Sequence, residues 1–181
     1  MNEKLVRAYI AKKVAIRYES FAFAKETMSS EDYQELVLSK KASVFSAEML
    51  KKAKAAIMSR FGIKEHKFLF KNPTLYQWIT DVLGSWTLQD IMAFLSARSG
   101  FAVDRFEDAT IGDTVFNRPF LITLVEELED ATGKVLCNYA DPDRPLAYLG
   151  EDITYAEIAS FFSNNGASER ICERRRKYGI N

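Results

Sequence analysis

Residues that start and end helices recur along this sequence, and they constrain its fold more than any other feature. Ser29, Ser46, Thr87, Asn117 and Thr154 each precede a segment of apolar residues at helical spacing, in the position of an N-cap. Single glycines follow such segments, where a left-handed residue often ends a helix; they are Gly62, Gly84, Gly100 and Gly133. The pattern predicts about seven or eight helices and an all-α, multi-helix bundle.

Two further segments extend this prediction. No Pro or Gly interrupts residues 3–28, whose apolar positions include Leu5, Tyr9, Val14, Tyr18 and Phe21. Asn72-Pro73 is typical of an N-cap followed by Pro at the first helical position. Only the short segments 66–70 and 133–139 have an extended character. Helices are therefore expected along most of the chain.

Charge is distributed unevenly, although 25 Lys and Arg balance 25 Asp and Glu. Residues 1–71 carry a net charge of +7, residues 72–165 a net charge of −10 and residues 166–181 a net charge of +3. We expect a helical region over residues 1–86, an acidic helical region over 87–152 and a separate C-terminal motif over 153–181. Such segments either neutralise one another within the fold or present fields of opposite sign on different surfaces.

The sequence argues against a membrane protein and a secreted one. Five charged residues interrupt its longest apolar-rich region, residues 5–24, so no stretch approaches the roughly 20 apolar residues that a spanning helix needs. The N-terminal residues lack the apolar core and cleavage site of a secretory signal. Cys137 and Cys172 stand far apart and without metal-site spacing, which predicts free thiols in a reducing compartment. We expect a cytoplasmic protein that does not associate with membranes.

Catalytic and cofactor motifs are not recognisable in the sequence. His66 is the single histidine, and no Ser or Cys stands near it in a recognisable nucleophile setting. The glycines are scattered singly, unlike those of phosphate-binding loops. Consecutive acids at positions 126–130 fan around a helix axis, which favours a solvated face over metal ligands. We therefore predict a non-enzymatic binding protein with no cofactor and no metal.

Residues 153–180 resemble the helix-turn-helix of bacterial and phage DNA-binding proteins. Thr154-Tyr155 and Glu157-Ile158-Ala159 match the first helix of that motif, and Lys177-Tyr178-Gly179-Ile180 matches its usual ending. Ile171 and Tyr178 lie seven residues apart and are expected to share the inward face of the second helix. The turn is two residues longer than the commonest spacing, and Arg174 and Arg175 occupy positions that are usually apolar.

This resemblance implies a regulatory protein that binds double-stranded DNA. The second helix of the motif enters the major groove, and neighbouring cations hold phosphates. The residues expected to contact DNA are Ser168, Arg170, Arg174, Arg175, Arg176 and Lys177. Two carboxylates, Glu169 and Glu173, would also face the groove. A homo-oligomer is expected, since twofold partners double the contact with DNA.

Residues 87–163 resemble a different family, the acyl carrier proteins. The match consists of a helix over 88–98, a long loop over 101–116, a helix that ends at 124–130, a short turn near 145–148 and a helix over 155–162. Carriers attach phosphopantetheine to a serine before their second helix, whereas residues 113–119 contain no serine. The resemblance thus implies an adaptor without a cofactor, and its protein-contacting residues would be Glu126, Glu127, Glu129 and Asp130.

Aromatic residues leave a third alternative open. Tyr76, Trp78 and Trp86 are suited to anchoring an interface with another copy of the chain or with a larger protein assembly. They are equally suited to an ordinary core. The sequence therefore favours a DNA-binding regulator, with the acidic adaptor as its alternative.

Overall fold

The computed structural model describes residues 3–15, 19–113, 115–164 and 166–180. These residues form nine α-helices joined by loops and short 3₁₀ turns. The α-helices are α1 (Glu3–Ala15), α2 (Glu19–Thr27), α3 (Ser30–Ser39), α4 (Ala47–Phe61), α5 (Leu75–Leu83), α6 (Leu88–Ser99), α7 (Arg118–Thr132), α8 (Tyr155–Phe162) and α9 (Glu169–Lys177). The fold is all-α, as the sequence predicts.

Strands are absent from the described residues, which hold two isolated β-bridges, Lys41 with Thr74 and Thr110 with Thr154. The segments 66–70 and 133–139, which had an extended character in the sequence, are loops. In each loop two backbone N–H groups donate to a buried carboxylate and not to a neighbouring strand. These backbone N–H groups therefore have hydrogen-bond acceptors without a β-sheet.

Local capping explains most helix boundaries. Ser29, Ser46, Thr87, Asn117 and Thr154 all cap helices, and each side chain accepts a hydrogen bond from a backbone N–H three residues later. Thr87 and Thr154 also form complete capping boxes with Asp90 and Glu157. The glycines predicted to end helices, Gly62, Gly84, Gly100 and Gly133, all have positive φ. These predictions are confirmed.

The start of α5 differs from the prediction. Thr74 occupies the cap position, since Gln77 N donates to Thr74 Oγ1 at 3.2 Å and Thr74 N donates to Gln77 Oε1 at 3.0 Å. Asn72 and Pro73 lie before the helix, and the carbonyl of Pro73 accepts from Ala42 N at 2.8 Å. Pro73 therefore links two segments of the chain and does not open the helix.

The chain divides into two compact units, Met1–Leu83 and Gly84–Asn181. The predicted boundary after residue 86 lies close to this division. A further boundary after residue 152 has no counterpart, because α8 packs against α6, α7 and α9 within the second unit.

In the first unit, helices α1 to α5 all contribute to the core. The buried face of α1 carries Val6 and Ile10, whereas Leu5 and Tyr9 are exposed. Of the apolar positions noted in this segment, Phe21 is buried, whereas the side chains of Val14 and Tyr18 lie outside the described residues. Arg7 is buried as well, and its guanidinium lies 3.2 Å from the ring centroid of Tyr76.

In the second unit, an aromatic cluster forms the centre of the core. The ring centroids of Phe106, Phe116 and Tyr155 lie 5.4–5.7 Å apart in pairs, at separations typical of favourable aromatic contacts. Trp86 is fully buried in this unit, and Trp78 is buried in the first. Both tryptophans are thus core residues of their own units. Within the described residues, no helix combines the length and apolar character needed to cross a bilayer.

Candidate functional site

The connection between α8 and α9 is held by a lysine and a close backbone approach. Lys134 Nζ donates to the carbonyl oxygens of Phe161 at 2.7 Å and Ser163 at 2.6 Å, which cap the carboxyl end of α8. A Cβ atom at Gly166 would lie 1.9 Å from the carbonyl oxygen of Ser160, so no side chain fits there. Asn165 of this turn lies outside the described residues. The two helices that the sequence predicts are therefore present, joined by a long connection.

Ser168 is the buried N-cap residue of α9. It is 6% exposed, and its Oγ accepts from Ile171 N at 3.3 Å as the N-cap of α9. Ile171 is completely buried, as predicted. Tyr178, predicted to share its face, is 58% exposed, although its ring centroid lies 6.1 Å from that of buried Tyr148.

Arg170 and Arg174 are bound by carboxylates of the same unit. Arg174 Nη2 donates to both oxygens of Asp152 at 2.8 and 2.7 Å. Arg170 pairs with Asp152 and, at 3.0 Å, with Glu157. These pairs connect α9 to α8 and to the segment before it, and they would have to open before either guanidinium could hold a phosphate.

The remaining cations lie near the carboxyl end of α9. The guanidinium of Arg175 lies 5.4 Å from the ring centroid of Phe161, and its side chain is half-buried. Arg176 and Lys177 are exposed, and Arg176 Nε donates to the carbonyl of Cys172 at 3.4 Å. Cations at this end of a helix offset its dipole. Of the six predicted DNA contacts, Arg176 and Lys177 are thus exposed without a described carboxylate partner.

The ion pairs of Asp152 depend on Gly150. Gly150 has φ 70° and ψ 178°, a conformation that is essentially restricted to glycine. A Cβ atom there would lie 2.9 Å from Arg174 Nη1 and 3.1 Å from Asp152 Oδ1. Hydrogen bonds from Arg174 hold the pKa of Asp152 below its usual value. This ion-pair site was not predicted, because nothing in the sequence marks Asp152 as the partner of cations about 20 residues later.

The acidic run on α7 does not form one solvated face. Glu129 is 8% exposed, and its Oε1 accepts from the backbone N–H groups of Leu136 and Cys137, both at 2.6 Å. Its other oxygen accepts from the hydroxyl of Tyr139. The expectation that Glu129 contacts a partner is therefore not met by its position, since its oxygens are occupied by the following loop.

The other acids of the run differ in exposure. Glu127 forms a two-pronged pair with Arg98, at 2.7 and 2.8 Å, which joins α7 to α6. Glu126 and Asp130 are exposed, one turn apart on the same helix. An acidic surface on α7 is therefore built from these two residues.

The Tyr139 hydroxyl and the Cys137 thiol, both next to Glu129, remain protonated at neutral pH because their pKa values are raised. The hydrogen bond to Glu129 raises the pKa of the Tyr139 hydroxyl. Burial, together with the nearby Glu129 charge, raises the pKa of the Cys137 thiol to about 12. Cys137 is buried and Cys172 half-buried, and both are free thiols, as predicted. The thiol of Cys137 is thus inert, since the thiolate is the reactive form.

A groove of about 450 Å³ lies beside the start of α7. Its apolar surface comes from Pro119, Leu121 and Ile122 of α7 and from Pro145, Leu146 and Ala147 of the following loop. Its charged rim consists of Arg118, Asp143, Arg144 and Glu151. Arg118 and Glu151 pair across it at 3.1 Å. The sequence indicated only a short turn near residues 145–148, so this groove was missed.

Metal-binding geometry is not found in the part of the chain that the structure describes, where no three His, Cys, Asp or Glu residues gather as potential ligands. His66 is half-buried in the first unit.

Replacing Glu129 with Ala is expected to destabilise the second unit by about 2–5 kcal/mol, because two buried N–H groups lose their acceptor. Amide hydrogen exchange at Leu136 and Cys137 should accelerate accordingly, and urea unfolding should report the loss of stability. Glu126→Ala, on the same helix but exposed, should change stability by no more than about 0.5 kcal/mol. Equal effects of the two substitutions would contradict the assigned role of Glu129.

Acidification is expected to weaken the attachment of α9. Because the pKa of Asp152 is lowered in the folded state, its contribution is complete above the ordinary Asp value of about 3.9 and is lost as the pH falls through the lower folded value. Asp152→Asn should lower the melting temperature at pH 7 and converge with the parent at the most acidic pH. Asp143→Asn, also exposed, is the control; a constant difference between parent and D152N at all pH values would contradict this account.

Comparisons with known proteins give no family for the chain: no family model matches it, and no curated protein or solved structure matches it significantly.

Proposed function

We propose that the chain is a non-enzymatic protein-interaction module, similar to an acyl carrier protein without an attached cofactor, which docks on a larger protein. The order of elements in its second unit supports this proposal. A helix (α6), a long connection, a second helix (α7), a 3₁₀ turn (Ala147–Leu149) and a further helix (α8) follow one another. Thr114, in the region where carriers have their serine, lies outside the described residues.

The observation that carries the proposal is the groove beside α7. It has an apolar floor, formed in part by Leu121 and Leu146, and a charged rim. An apolar centre within a polar rim is the usual anatomy of a protein–protein interface. A side chain of a partner inserted against Ile122 and Ala147 would remove apolar surface from water.

Charge indicates the chemistry of the partner. Residues 84–181 contain 16 Asp and Glu against 10 Lys and Arg, a net charge of −6. Glu126 and Asp130 project from α7, the helix that also forms one wall of the groove. A complementary basic surface would accelerate association and select the partner. The partner is thus expected to combine an apolar anchor with a basic surface.

DNA binding is the second candidate, and a specific observation favours it. Arg176 and Lys177 are exposed at the end of α9, which follows α8 as the second helix of the predicted pair. Fewer cations are available to contact DNA than the sequence implied, because Arg170 and Arg174 bind Asp152. Glu169 and Glu173 are also exposed on α9, and they would repel phosphates.

A photo-crosslinking amino acid at Ala147 tests the docking proposal. In the full chain, expressed in the cells that normally produce it, Ala147 is expected to yield a discrete adduct with one protein. Thr123, exposed on α7 but outside the groove, should give none. Reversing Glu126 and Asp130 to Lys should reduce the yield about tenfold, equivalent to about 1.4 kcal/mol of binding.

The control reverses Glu169 and Glu173 on α9, which changes the net charge equally. Its adduct yield should match that of the parent. Adducts of equal yield from Ala147 and Thr123, or equal losses in the two charge-reversed variants, would contradict docking at the groove.

A gel-shift series with duplex DNA at several salt concentrations tests the second candidate. If α9 binds DNA, Arg176→Ala with Lys177→Ala should weaken binding. The slope of the logarithm of the binding constant against the logarithm of salt concentration should also fall, by the amount expected for the loss of about two phosphate contacts. Lys51→Ala with Lys64→Ala is the matched control in the first unit. No retention of the parent at low salt would eliminate DNA binding by α9.

A further inference from the structure

The exposed face of α1 is apolar and basic. Leu5, Ala8, Tyr9 and Lys12 follow helical spacing, and all four are exposed. Leu5 is 65% exposed, whereas its neighbour Val6 is 1% exposed. The core of the first unit thus uses one side of α1 and leaves apolar surface on the other.

This face borders a groove of about 410 Å³ within the first unit. One wall comes from α1, through Ala8, Ala11 and Lys12; Lys25 and Met28, at the end of α2, and Ser30, Tyr33 and Gln34 of α3 form the remainder. Met28 is 40% exposed, so the groove offers a flexible apolar side chain in addition to its two lysines.

Tyr33 adds a polar feature to the groove. The residue is 9% exposed, and its hydroxyl has no hydrogen-bond partner among the residues that the structure describes. A buried hydroxyl without a partner is unfavourable.

The first unit as a whole is basic. Residues 1–83 contain 15 Lys and Arg against 9 Asp and Glu, a net charge of +6. Lys12 and Lys25 are both exposed where they line the groove. We propose that this groove binds an acidic, amphipathic segment of a partner protein, with apolar side chains against Ala8 and Met28 and carboxylates beside Lys12 and Lys25.

Nucleic acid fits the groove less well. Glu31 and Asp32 are exposed in the first turn of α3, next to the groove residue Ser30. A phosphate backbone carries a negative charge at every nucleotide, so these carboxylates would repel it. A protein segment can instead have its acidic residues only at the positions that face Lys12 and Lys25. The surface therefore differs from the groove beside α7 in location and in the sign of its partner, so either proposal can fail alone.

Fluorescence anisotropy of a labelled helical peptide tests this inference. The probe is about 18 residues long, five turns of helix, with Leu on one face and Glu on the other; a scrambled peptide of the same composition is the comparison. The full chain should bind the amphipathic peptide at least about tenfold more tightly than the scrambled one. Lys12→Glu with Lys25→Glu, and separately Met28→Asp, should each weaken binding about tenfold.

Lys51→Glu with Lys64→Glu changes the charge equally at exposed positions outside the groove and should leave the affinity within about twofold. Equal binding of both peptides, or equal loss in both charge variants, would overturn the proposal in favour of general charge attraction. If the parent binds duplex DNA and the K12E/K25E variant does not, the groove would be assigned to nucleic acid. Self-association lost in that variant would assign it to a second copy, and no peptide binding would overturn the proposal.

Discussion

A buried carboxylate that accepts backbone N–H groups from an irregular segment is the interaction on which each unit depends. In the second unit, Glu129 binds the N–H groups of Leu136 and Cys137. In the first, Asp81 is completely buried and accepts from Leu69 at 3.1 Å and Phe70 at 3.3 Å. A loop that enters a helical core has no strand or helix to satisfy its polar groups, so a side chain must do so. These two carboxylates allow loops to cover apolar cores without a sheet.

Internal pairing also determines which charges face the solvent. Glu127 binds Arg98, and Asp152 binds both Arg170 and Arg174. The acidic run and the basic end of the sequence therefore do not translate directly into an acidic and a basic surface. Glu127, Arg170 and Arg174 attach their helices to other segments of the same unit, whereas Glu126, Asp130, Arg176 and Lys177 remain exposed. Exposed pairs of this kind contribute little individually, and their main effect here is to orient α9.

Opposite net charges on the two units give the functional proposals a common physical basis. Residues 1–83 carry +6 and residues 84–181 carry −6. Each unit has its own groove with apolar walls and charged neighbours. An adaptor that binds a basic partner through one unit and an acidic partner through the other would use both features, because complementary charge selects a partner while apolar contact provides affinity.

By itself the sequence determined where most of the helices begin and end, with the start of α5 as an exception. Ser29, Thr87 and Thr154 cap their helices through bonds that span only three residues, and such local bonds can be recognised without knowledge of the fold. The all-α class was predictable for the same reason, whereas the free thiols were predicted from the number and spacing of the cysteines.

Tertiary structure decided which faces those helices bury and which charges remain exposed. Leu5 and Val6 are adjacent and equally apolar, yet only Val6 is buried, because α3 and α4 pack against that side of α1. Glu126 and Glu129 stand three residues apart in one acidic run, but only Glu129 meets the loop that follows α7. Both outcomes depend on contacts between segments distant in sequence or on the path of a loop, and no local pattern encodes them.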